Sequence, residues 1–576
     1  MAGAQSQHVS LNLVPEALSV LWRRSLSPLR VGTRRSLPYR WFLKGPLADR
    51  INFYPHDVLP RRLEDAEALL RGRFPFCCDT VEVKEGSIFD KRAPTNEWLE
   101  ALHGFQWLPP LAAAGGDAAR TLATNLISQW LRRHGRYTEP AWLPQVLARR
   151  LINIFCHGRL VLANAEVLWR SKVFVSLREQ SQMLARIAQE APEGLPRLES
   201  ATAIVLSNAC LDRNERRLAF GLNLLEEECA RQILPDGGHV SRKPEALLHS
   251  YRCLTLAIDA LAALGLELPQ VLRSAHDRMA PMLRFFRHGD GALALFNGGH
   301  ECDPRALAAL LARDEVRGQP FGHARHSGFH RIALAKTLVV MDCGAPPPLA
   351  FASDAHAGCL SFEFSTGGQR VIVNCGAGGA GQAKWDDVLS ATAAHSTVTV
   401  ADTSMASVLP TGWLRRLVGP RLLGGPNGVN TNRLENARGS RIEASHDGYV
   451  GEFGIRHERQ VTLAPQGLTL TGFDRLVPVD QRRRRSQSIP FAARFHIHPD
   501  VRMSPSQGGD ILLRLPNGEG WRFRAGGGQV STEESIYLGS DSVRRTEQLV
   551  ISGAVRDAPA EIAWAFEQIG SDPSPA

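Results

Sequence analysis

The feature that most constrains this chain is a change of period. Between about 118 and 287 apolar residues recur at helical spacing. Leu218, Leu222, Leu225, Cys229 and Ile233 follow one another at 4, 3, 4 and 4, and Leu247, Tyr251, Leu254, Ile258 and Leu261 at 4, 3, 4 and 3. Further helices fit 118–133, 142–157, 163–186 and 269–287, separated by Pro and Gly clusters at 192–196, 235–238 and 265–269. Such a stretch predicts an array of antiparallel helix pairs. From about 290 onward the pattern shortens to alternation: Val461-Thr-Leu-Ala and Leu468-Thr-Leu-Thr flank a turn at 465–467. Strands are also expected at 334–341, 360–364, 370–373, 396–400, 511–515 and 548–551. Many short strands with Gly-rich turns predict an antiparallel sandwich. The expected division is a mixed segment over 1–110, helices over 111–290 and a β-sandwich over 291–576.

A chain of 576 residues with 44% apolar and 22% charged residues can bury large cores without disulfide or metal staples. Its ten Cys residues include no Cys-x-x-Cys, which excludes a zinc ribbon and a disulfide scaffold. All but seven of the 67 basic residues are Arg, and the formal charge is +9. That surplus suits anions. The dense run Arg482–Arg485 has no interleaved aromatics, however, so a nucleic-acid partner is not expected. No apolar run of about 18 residues predicts a membrane span. The Arg-rich first 40 residues lack a secretory apolar core, so a cytoplasmic location is expected.

Three places hold chemically able residues in apolar surroundings. In Leu234-Pro-Asp-Gly-Gly-His-Val-Ser-Arg-Lys-Pro244, the glycines can present His239 and Arg242 into a cleft, or simply make a helix–helix turn capped by Asp236. His356, Asn374 and His395 each lie beside a predicted strand and could converge as a partial metal site. Phe296-Asn-Gly-Gly-His-Glu-Cys302 offers Asn297 either to a glycan or to a hairpin turn. Trp98, Trp107, Trp130 and Trp142 could stack on sugar rings or fill the core. There is no Walker loop, nucleophile elbow or HExxH.

The ordered strings Asp236-Gly-Gly-His-Val-Ser-Arg242, Asp354-Ala-His-Ala-Gly-Cys-Leu-Ser-Phe-Glu363, Asn374-Cys-Gly376 and Ala394-His-Ser-Thr-Val398 resemble the heparinase II/III-like proteins. The resemblance runs from about 102 to 553. It implies an incomplete (α/α) toroid followed by an antiparallel β-sandwich, and β-elimination on an acidic, uronic-acid-containing polysaccharide. Such a reaction needs a group that neutralises the uronate carboxylate and a base for the adjacent proton, and it requires no cofactor. On this reading His239 serves as base or acid, Arg242 clamps the carboxylate, and Tyr251 is the nearest Tyr to the family's base position. Trp107 and Asn297 contact sugar. A structural zinc is implied at His356, His395 and Asn374, and a cell-envelope location is the alternative to a cytoplasmic one.

The strings also depart from the family. An Asn-His pair expected near 193–197 is missing, Ala246 and Leu247 stand where the base Tyr belongs, Asp354 replaces a catalytic His, and Asn374 replaces a metal-binding Asp. The alternative is therefore a glycan-binding or envelope-biogenesis protein of the same fold that has lost catalysis.

Overall fold

A computed structural model describes residues 13–570 apart from 26, 44–47, 60–61, 78, 315–317, 379–382, 480–487, 507 and 541. The basic run at 482–485 and part of the Gly-rich loop at 376–381 lie outside the described residues.

The helical half is built from Gly116–His134, Pro144–His157, Val167–Ile187, Leu195–Cys210, Glu215–Gln232, Pro244–Ala263 and Gln270–Phe286. Five of these begin within three residues of a sequence-based boundary, and Val167–Ile187 begins four residues later. Leu195–Cys210 is the exception, because nothing in its spelling shows a polar face. Thirteen of its side chains are buried, from Leu198 to Cys210 without a break. It packs against Pro144–His157, Glu215–Gln232 and Pro244–Ala263 and forms the axis of the array. A helix buried on every side, with Glu199, Ser200, Thr202, Ser207 and Asn208 scattered among its apolar residues, has no clean period to detect. The helical core also continues beyond 290, where Leu307 and Leu310 of the helix Pro304–Leu311 are buried in it.

The strands form two large antiparallel sheets. One runs in the order Val429–Asn436, Gly439–His446, Ile455–Leu463, Thr469–Pro478, Ala560–Gln568, Gly520–Gly526, Ile511–Arg514 and Arg502–Pro505. The other is centred on Ile489–Ile497, flanked by Arg544–Val555 and by Gln369–Val373, with Val398–Val400 also pairing to it. The turn at 465–467 lies where the sequence puts it, with Leu463 paired to Leu470. The strand expected over 334–341 is instead a hairpin, Phe329–Leu334 and Thr337–Asp342, whose turn places Ala335 at φ +50°. Between the sheets lie Phe362, Phe364, Phe495, Trp521, Trp564 and Phe566. Phe362 and Trp564 stack with centroids 5.3 Å apart.

The two halves meet through the hairpin-like corners after Gln232 and Phe286. Asp236 does not cap a helix. Its Oδ2 accepts from the backbone N–H groups of His326 and Ser327, both at 2.7 Å, and so ties the helical corner to the segment that enters the sheet. Gly237 is required here. At φ +85°, a Cβ on it would lie 2.0 Å from the Arg278 carbonyl oxygen.

Candidate functional site

A groove runs between the corner of the helical half and the loop 350–354 of the sandwich. One section, about 370 Å³, is lined by Arg149, Glu193, His239, Lys243, Glu245, His249, Phe351 and Asp354, among others. A second section of about 460 Å³ continues along the helices past Asp65, Gln106, Glu199 and Arg252. Arg149, Leu195 and His249 line both sections, so the groove is continuous.

Charge inside the groove is closely paired. Lys243 Nζ donates to Asp354 Oδ2 at 3.0 Å and lies 3.4 Å from Glu245. Burial opposes the ammonium charge, but these two carboxylates outweigh it and raise its pKa. The same ammonium lowers the pKa of Asp354. Glu245 is held well below the carboxylate range: burial pushes it up, but Lys243 and the imidazoles of His249 and His300 prevail. His300 Nδ1 lies 3.2 Å from Glu245 and His249 Nε2 3.8 Å. Further along, Arg149 is bound by Glu199 at 2.9 Å, with Glu100 at 3.8 Å. Arg252 grips Asp57 in a bidentate pair at 2.8 and 3.0 Å.

The residues singled out by sequence fare differently. His239 does line the groove, but both its nitrogens are used. Gln232 donates its amide N–H groups to Gly194 O and Glu228, so its Oε1 accepts from His239 Nε2 at 3.1 Å. His239 Nδ1 then accepts from the Ser241 hydroxyl at 2.7 Å and the Ser241 N–H at 3.1 Å. Burial lowers its pKa to about 4 and keeps it neutral. No lone pair is left for a substrate proton.

Arg242 is not a substrate clamp. Its guanidinium donates to the carbonyls of Ser327, Gly344 and Ala345, is ion-paired with Asp342, and lies over the Phe329 ring at 4.7 Å. It is a strut between the halves. Tyr251 is in the helical core, fully buried and stacked on His276 at 4.4 Å, and burial raises its pKa. It cannot serve as the base. Trp107 is likewise at 0% exposure, its indole N–H bonded to the Leu102 carbonyl, and Trp98, Trp130 and Trp142 are core residues too. Asn297 is buried; its amide donates to the Arg242 carbonyl and its Oδ1 accepts from the His356 N–H. It joins the halves, its polar groups spent within the protein.

The implied zinc does not fit its three candidate ligands. His395 Nδ1 donates to the Ala391 carbonyl at 2.9 Å, so its Nε2 accepts the proton of His356 Nδ1 at 3.2 Å. Asn374 spends its Oδ1 on the Ser396 N–H and its amide on Leu295 O and Glu363. Among the described residues no group of three or more His, Cys, Asp or Glu is placed to hold a metal ion. The two imidazoles do meet, as the strand positions suggested, but as a buried hydrogen-bonded pair. Burial lowers both their pKa values, that of His395 to about 4.

Sequence reasoning missed Lys243, Glu245, His249 and His300. Lys243 is one of only seven lysines, and Glu245 and His249 are four residues apart on one helix. That spacing was the available signal.

The same architecture recurs in other proteins. Residues 316–565 match the model of the heparinase II/III-like C-terminal domain. A relative from Caulobacter vibrioides, FtsZ-localized protein C, is 32% identical over 540 residues, 92% of each chain. The chain belongs to the heparinase II/III-like family. Among solved structures, heparinase III superposes with a TM-score of 0.70 at 14% identity, over 92% of this chain and 89% of that one. A mutant of the heparan sulfate lyase HepC from Pedobacter heparinus gives 0.60 at 16% identity, over 93% and 88%. The heparinase II/III-like fold of helices followed by antiparallel sheets thus spans nearly the whole chain. At such identities the structural likeness carries the fold alone. No helix among the described residues is long and apolar enough to cross a membrane.

Proposed function

We propose that this chain is a glycan-binding protein of the lyase fold that does not perform β-elimination. The single observation that carries this reading is the pairing of charge in the groove. Lys243, Arg149 and Arg252 each face a carboxylate of the protein itself. Elimination needs an uncommitted positive or hydrogen-bonding group to stabilise the charge that develops on the uronate, and a base with an available lone pair. Arg242, Tyr251 and His239 supply neither, for the reasons given by their contacts. What remains is a long polar groove able to hold a sugar chain through paired charges and the half-exposed His249.

Titration calorimetry with a panel of acidic and neutral oligosaccharides tests this. Binding that is lost in Lys243→Ala, with the ligand recovered at its original length, is the expected result. Shortened, unsaturated ligand recovered from the cell would overturn it. The Caulobacter relative is named for localisation with FtsZ, and we carry that place over as part of the proposal. A fluorescent fusion of this chain should coincide with FtsZ in its own cells, and a uniform distribution would remove this part.

A further inference from the structure

A small pocket of about 60 Å³ lies in the helical half, at the end of Leu195–Cys210 away from the groove. That helix starts beside the groove, which Gly194 and Leu195 line, and the pocket takes in Leu211 and Asn214 just past its other end. At 1.5 Å per residue the two are roughly 20 Å apart. The turn that forms the pocket is fixed from within. Asn208 Oδ1 accepts from the Asn214 N–H at 3.0 Å, Asn214 Oδ1 accepts from the Arg217 N–H at 3.0 Å, and the Asn52 amide donates to the Leu211 carbonyl at 2.7 Å. Arg217 Nη2 donates to the Asp212 carbonyl at 2.6 Å, which holds its guanidinium at the pocket wall.

Two polar atoms of that wall are buried and unsatisfied. Ser181 is 2% exposed and its Oγ has no hydrogen-bond partner among the described residues, and neither has Arg217 Nε. A buried donor without a partner is costly, and a cavity shared by two of them is where their partner would sit. Charge indicates what that partner is. Arg178, Arg213 and Arg217 line the pocket against one carboxylate, Asp212. Arg213 is answered by Glu215 at 2.7 Å, but Arg217 makes no ion pair among the described residues. Burial lowers its pKa, with only a weaker pull from Asp212 in the other direction. The groove is the reverse, since each cation named there contacts a carboxylate. Water can bond to both atoms but does not answer the charge. At about 15 Å³ for each water-sized group, the pocket has room for about four, as many as the oxygens of a tetrahedral anion. A guanidinium beside a hydroxyl is a donor set that grips phosphate oxygens.

We propose that this pocket is a phosphate-binding site, in which Ser181 Oγ and the Arg217 guanidinium donate to the anion and Arg178 adds charge. A free phosphate ion and a phosphate monoester share this chemistry. Arg213 and Asn214 are exposed, so the pocket opens to solvent beside them and one oxygen can carry a substituent. The proposal stands whether or not the groove binds glycan.

The test uses the full chain with inorganic phosphate, glycerol 3-phosphate and, at matched ionic strength, chloride. Calorimetry gives affinity, and hydrogen exchange gives location. At least one phosphate compound should bind, with protection over 174–182 and 208–217, and chloride should give none. Tighter binding of glycerol 3-phosphate would identify a monoester, and binding of inorganic phosphate at least as tight would identify the free ion. Ser181→Ala and Arg217→Met should each weaken binding about tenfold. The Ser181 hydroxyl has no bond to lose, so Ser181→Ala should keep its melting temperature and remains informative even if Arg217→Met fails to fold. The proposal is overturned if neither phosphate compound binds, if chloride protects the same peptides equally, if protection falls instead on peptides around 239–250, or if either folded variant binds as tightly as the unaltered chain.

Discussion

Arg242 shows how one side chain can carry the look of catalysis and the work of architecture. A guanidinium in a glycine-rich corner reads as an anion clamp. Its fully committed donors and the Asp342 ion pair make it a joint. Removing one partner of such a buried pair leaves the other uncompensated, so Arg242→Ala should lower stability by about 3–5 kcal/mol, measured by denaturant unfolding. A substrate clamp would show the opposite, with unchanged stability and lost ligand affinity. The imidazoles make a second prediction at this scale. Burial holds His239 and His395 at about 4 and His103, His330 and His496 at about 3, below the ordinary 6.5. The unfolded chain therefore binds more protons than the folded one between these values. Stability is full above pH 6.5 and falls as pH drops toward 4, by about 1–2 kcal/mol per imidazole at pH 5. A melting temperature that stays flat from pH 7 to pH 5 would contradict the burial of these rings.

Among the elements, Gly472 in Thr469–Pro478 gives the sharpest case. A Cβ there would lie 1.9 Å from the Trp564 ring, which is held by stacking on Phe362 and by a bond from its indole N–H to Asp474 at 2.9 Å. With the ring unable to retreat, Gly472→Ala should cost about 1–3 kcal/mol by the same unfolding measurement, and a neutral result would mean the sheet core is looser than its contacts imply. Most elements were legible because one face is polar. Glu215–Gln232 and Pro244–Ala263 announce themselves by spacing, and the hairpin around 465–467 by alternation and its turn residues. Leu195–Cys210 was not legible, because burial on every side erases the period. The candidate site was legible only in position. The Asp-Gly-Gly-His corner does border the groove, but sequence cannot show that Gln232, lying before the turn, and Ser241, two residues after His239, satisfy that imidazole. Nor can it show that Asn374 faces a backbone N–H instead of a metal.

At the scale of the molecule, the helical core runs on into Phe329, Leu338 and Val340 of the sheet half, and buried polar links add to that joint. Besides Arg242 and Asn297, Arg370 pairs with Asp290 at 2.7 Å and His288 with Glu363 at 2.9 Å, tying the end of the helical half to the sheet. Calorimetry should therefore give one unfolding transition for the unaltered chain and two for Arg242→Ala, and two transitions in both would mean the halves are independent. The groove between them has a self-paired electrostatic content, with every lining cation named here answered by a carboxylate of the same chain. That content is the central claim, and the most direct test is ultraviolet absorbance during incubation with heparan, chondroitin and polyuronate chains. The account predicts no rise from unsaturated uronate products. A steady rise that disappears in Lys243→Ala or His249→Ala would contradict it.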